Sequence, residues 1–119
     1  MSQFLCVIDD GVTCKGYIAA VPRLHGEVRF EYRPVLVSER SAWIAEMERT
    51  PNRHKATAAL LARKVVSWDV KDAKGELLPC NKPDSHLRLV TRVFDRLLGI
   101  VTGQEPSDPD PQGEVSDPF

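Results

Sequence analysis

Arg88, Arg92 and Arg96 stand four residues apart, and on a helix that spacing makes one exposed line of positive charge. Such a line pairs with carboxylates or phosphates. A second basic set, Arg53, Lys55, Arg63 and Lys64, falls on another helical stretch. The acids are arranged differently. Asp9-Asp10 and Asp69 with Asp72 look superficially like catalytic carboxylate pairs, yet each borders a turn, where Asp caps backbone N–H groups. Cys6, Cys14 and Cys80 contain no Cys-x-x-Cys pair, so with His25, His54 and His86 they lack the close spacing of a structural zinc site. Gly11, Gly16 and Gly26 lack the spacing and the following helix of a phosphate-binding loop. No serine or cysteine sits in a nucleophile motif. We therefore expect no catalytic residue, no metal and no cofactor. The chain reads as a binding protein, not an enzyme.

The elements that must position these groups follow from periodicity. Phe4–Ile8 is an apolar run ended by Asp9-Asp10-Gly11, and suits a buried N-terminal strand. Val28, Phe30 and Tyr32 alternate with Arg29, Glu31 and Arg33, the period of a half-buried strand; with Gly26 at the turn, 17–33 reads as a β-hairpin. A Ser38 N-cap opens a helix over 38–49, on which Trp43, Ile44 and Met47 share a face. Thr50 and Pro51 open another over 51–66. Val65–Val70 either ends that helix or starts a strand, and a small second hairpin can form across Gly75.

Pro83-Asp84-Ser85 introduces a helix over 85–101. Its stripe of Leu87, Val90, Phe94, Leu97, Leu98 and Val101 is flanked by Leu89, Val93 and Ile100. That apolar surface is wider than one small neighbour requires. Leu89, Val93 and Ile100, with Arg88, Arg92 and Arg96, are therefore the expected partner-binding residues, facing another protein or a second copy in a homo-oligomer. Trp43, Trp68 and Phe94 are expected in the core. Strands followed by helices make the class α+β.

Length and charge set the frame. A chain of 119 residues fits one domain, which we place at 1–103, closed by Gly103. Residues 104–119 carry five acids, no Lys or Arg, and four of the nine prolines. Their composition predicts a flexible acidic tail. Removing those acids from the 16 basic and 17 acidic residues leaves 1–103 at +4. The tail acids can thus fold back on the Arg88–Arg92–Arg96 line or meet a basic partner. Met1 to Asp10 lacks the basic start of a signal peptide, and no apolar run approaches the ~20 residues of a membrane helix. With an odd number of cysteines, this favours reduced thiols in a cytoplasm.

Glu31-Tyr32-Arg33-Pro34-Val35-Leu36 precedes the first helix. The second runs into Lys64–Trp68 and then Asp69-Val70-Lys71-Asp72-Ala73-Lys74-Gly75-Glu76, ahead of a final amphipathic helix. Over roughly residues 28–102 this order resembles small proteins of tailed-phage and prophage morphogenesis clusters, tail assembly chaperones above all. In that group a helix, then Trp-Asp-x-x-Asp-x-x-Gly, then a helix recurs. The resemblance implies a non-enzymatic assembly factor that binds a tail or other structural protein, working in the host cytoplasm. It transfers a role and no site residue. A virion component of tail, neck or head completion is the nearer alternative. A nucleic-acid-associated regulator using Arg88, Arg92 and Arg96 with Arg53 and Lys55 is the further one, opposed by the acidic tail.

Overall fold

The alternation at Val28–Tyr32 marks the centre of the molecule. The computed structural model describes residues 12–112; the expected strand at Phe4–Ile8 and Cys6 lie outside them. Val28–Tyr32 forms β2, paired antiparallel with β1 (Cys14–Ile18) on one side and β3 (Val65–Trp68) on the other. Register places Gly16 opposite Phe30, and Phe30 opposite Trp68. Val28, Phe30 and Tyr32 point into the core while Arg29 and Glu31 take the other face, as period two requires. The expected hairpin is present, with its first strand three residues earlier than Tyr17. Val65–Val70 resolves as a strand start, because β-branched Val65 leaves helical geometry and pairs with Tyr32.

Two helices join the first hairpin to β3. α1 spans Val37–Arg49 and α2 spans Arg53–Lys64. Their caps differ from the expected ones. Leu36, not Ser38, is the α1 N-cap, and its N–H donates to Glu39 Oε1 at 2.9 Å. Thr50 closes α1, and Asn52 caps α2 through a 3.0 Å bond from the Lys55 N–H. Trp43 lies half-buried between the helices, its indole N–H donating to Thr57 Oγ1 at 3.1 Å, whereas Trp68 and Phe94 are buried in the core. The Lys64 side chain is 11% exposed and its ammonium sits 2.6 Å from the Glu39 carboxylate, tying the end of α2 to the start of α1.

The expected helix over 85–101 is two helices, α3 (Pro83–Leu87) and α4 (Thr91–Val101). Arg88 caps α3, and Val90 is extended at φ −62°, ψ 148°. α3 is pinned by His86, whose ring lies 4.6 Å from that of Trp68 and whose Nε2 donates to the Cys80 carbonyl at 2.7 Å. α4 is pinned separately, through Val93, Phe94, Leu97, Ile100 and Val101 in the core. One straight helix cannot satisfy both anchors, so the chain turns between them. The second hairpin is reduced to a single bridge, Lys71 with Leu77, around Gly75 at φ +82°. The class is α+β: a three-stranded antiparallel sheet with four helices among the described residues.

The globular body runs on past Gly103. That residue does terminate α4, at φ +79°. Residues 104–112, expected as part of a free tail, instead lie against the sheet: the Asp108 N–H donates to the Tyr17 carbonyl at 3.0 Å, and Arg29 holds Asp110 through two 3.1 Å bonds. The rest of the expected tail, 113–119, is outside the described residues. Among the described residues, no helix is long and apolar enough to cross a membrane.

Candidate protein-binding groove

The α3–α4 break opens a groove of about 440 Å³. Three separate segments form its walls: the β1–β2 loop at His25–Val28, the turn at Asp69–Ala73, and Arg88–Val90 with Val93. Val28, Leu78 and Val93 are buried and form its apolar floor, with Val70 and Leu89 half-buried beside them. Charges of both signs stand on the rim: Glu27, Asp69 and Asp72 against Lys71 and Arg88. Among the described residues, neither Lys71 nor Arg88 enters an ion pair.

Most of the polar rim serves the fold. Asp69 Oδ1 accepts the Arg29 N–H at 3.0 Å, and Asp72 Oδ1 accepts the N–H groups of Lys74 and Glu76 at 2.8 and 3.0 Å. Asp72 thus caps its own turn as expected, whereas Asp69 holds the β2 backbone across the sheet. His25 Nδ1 donates to the Gly26 carbonyl at 2.8 Å, which leaves Nε2 to accept from Arg92 Nη1 at 2.7 Å. That contact fastens the β1–β2 loop to the first turn of α4.

The six expected binding residues separate. Arg88, Leu89 and Val93 meet in the groove, and Arg92 stands beside it through His25. Ile100 is 2% exposed and belongs to the core, and Val93, at 4%, is floor and not free surface. Arg96 turns the other way, to Asp108 at 2.7 Å and to the Glu105 carboxylate. The continuous arginine line is therefore corrected: Arg88 lies outside α4, and the acids at 105 and 108 cover Arg96 alone. The periodicity that counted Val90 as stripe hid the groove's most telling residue. Val90 is 50% exposed, apolar, and occupies the N-cap of α4 with no side-chain hydrogen bond. Ser, Thr, Asp or Asn at that position would cap the helix better.

Behind the groove, Trp68, Leu78, Cys80 and His86 form a tight polar seam. The Trp68 indole N–H donates to the Leu78 carbonyl at 2.7 Å, and the Cys80 thiol to that of Val65 at 3.5 Å. Burial pushes the His86 imidazole below its usual range, against the hydrogen bond to Cys80. Burial likewise raises the thiols of Cys14 and Cys80. Such thiols are poor nucleophiles. Among the described residues, no three His, Cys, Asp or Glu side chains are placed to share a metal ion. Comparison with protein-family models, curated proteins and solved structures finds no match to this chain.

Proposed function

We propose that this chain is a non-enzymatic assembly factor of the tail-chaperone kind, binding another structural protein through the groove beside α4. Val90 is the observation that carries the reading. An exposed valine where a capping residue would stabilise the helix is a local choice against stability, and such choices concentrate at functional sites. The apolar floor supplies burial for a partner side chain. The two-signed rim selects orientation and partner more than it adds affinity. Asp69 and Asp72 are engaged in backbone hydrogen bonds, and Glu27 in bonds from Tyr17 and Arg29, which supports binding over catalysis.

Co-expression with the proteins encoded beside its gene, followed by pull-down, tests this reading. The native chain should retain one of them, and Val90→Asp or Arg88→Glu should release it. Retention by both variants, or no retained structural protein, would refute the proposal. Absence of the chain from purified particles would mark an assembly factor, and its presence a virion component.

A further inference from the structure

β1 is the edge strand that runs along residues 105–110, and these residues hold it in an unusual way. The Tyr17 N–H donates to the Ser107 hydroxyl at 2.7 Å, and that hydroxyl donates back to the Tyr17 carbonyl at 3.1 Å. The Ala19 N–H donates to Asp108 Oδ2 at 2.9 Å. Only the 3.0 Å bond from the Asp108 N–H to Tyr17 is a backbone pairing; Pro106, Pro109 and Pro111 cannot donate to a ladder. Charge supplies the other half of the contact. Arg96 takes Asp108 and Glu105, and Arg29 grips Asp110 through both carboxylate oxygens. Asp108 and Asp110 are two residues apart, the repeat of an extended chain.

The segment brings no large apolar side chain: Gln104 to Gln112 contains only polar residues, acids and prolines. Its hold is polar, with the Asp110 side chain 2% exposed against Arg29, and another acidic chain can make the same contacts. An exposed strand edge is in turn a template for an incoming extended segment. We propose that the β1 edge, with Arg29 and Arg96, is a binding site for an extended acidic segment of a partner protein. Residues 105–110 occupy it in the isolated chain as an internal competitor. This site takes a different ligand surface from the groove beside α4, although Arg29 also bonds Glu27 and Asp69 on the groove rim.

The test uses the full chain carrying Asp108→Ala and Asp110→Ala, which weaken the internal segment and leave both arginines in place. The probe is a fluorescein-labelled peptide of residues 104–112, followed by fluorescence polarisation at low and high salt. If the internal segment occupies the site nine-tenths of the time or more, the variant should bind the peptide at least about tenfold more tightly than the native chain. Binding should weaken with salt. Arg29→Gln or Arg96→Gln in the variant, or Asn for both Asp residues in the peptide, should abolish it. Equal binding by native and variant chains, or binding indifferent to those arginines, would overturn the proposal. Loss of the native circular dichroism in the variant would overturn it too, by showing that the segment is an integral part of the fold and cannot be displaced.

Discussion

Two glycines should respond differently to the same substitution. Gly16 faces the core from β1, and a methyl group there would stand 2.4 to 2.9 Å from three ring carbons of Phe30. Phe30 cannot swing aside: it is 4% exposed, its ring centroid lies 5.5 Å from that of Tyr32, and Trp68 is opposite it in β3. Overpacking of this kind costs about 1–3 kcal/mol, offset by about 0.4–1 kcal/mol from a less flexible unfolded chain. Gly16→Ala should therefore destabilise by about 1–2 kcal/mol. At Gly99 the added methyl would meet the Glu105 carboxylate at 2.4 Å, but that is the end of a flexible surface side chain. Rotating it away loosens the exposed contact with Arg96, worth about 0–1 kcal/mol, while Ala gains about 1 kcal/mol of helix propensity inside α4. Gly99→Ala should be neutral or mildly stabilising. Urea unfolding followed by circular dichroism measures both. A Gly16→Ala chain as stable as the native one, or a Gly99→Ala chain less stable than Gly16→Ala, would refute the packing described for β1 and α4.

Other consequences are independent of these. Val90→Asp should raise stability by about 0.5–2 kcal/mol, since it supplies the missing cap at the positive end of α4; thermal melting checks it. The Glu39–Lys64 pair should be asymmetric in chemical denaturation. Glu39→Ala strands a nearly buried ammonium and should cost about 1–3 kcal/mol, whereas Lys64→Met leaves a carboxylate that is 38% exposed and should cost less. His86 makes stability depend on pH. Burial lowers its pKa from the ordinary 6.5, so the unfolded chain binds the proton first; the contribution is complete above about 6.5 and is lost as pH falls toward the folded value. Urea midpoints at pH 7.5 and 5.5 should differ in the native chain, and the difference should shrink in His86→Phe.

The sheet's core face was legible because alternation in Val28–Tyr32 leaves one register that buries Phe30 and Tyr32. α1 and α2 were legible within a few residues, although Leu36 and Asn52 displaced the expected caps. The α3–α4 break was not. No Gly or Pro punctuates Arg88-Leu89-Val90, and Leu87 and Val90 sit on the helical stripe while standing 42% and 50% exposed. What breaks the helix is the pair of anchors, His86 on Trp68 and the α4 stripe on the sheet, which come together only in three dimensions. The segment 104–112 was misread because composition registers apolar burial alone. Its order comes from edge-strand capping by Ser107 and Asp108 and from two arginines distant in sequence. Arg88 entered through the arginine spacing and Leu89 and Val93 through the width of the stripe; His25, Lys71 and Asp72, which line the same groove, come from segments that no spacing rule joins to them.

Hydrogen exchange on the chain in complex with the protein it retains in the pull-down tests the central claim most directly. The groove account predicts slowed exchange at 25–28, 69–73 and 88–93 relative to the free chain, and loss of that protection with Val90→Asp. Protection confined to other surfaces, with those three segments exchanging as in the free chain, would contradict it.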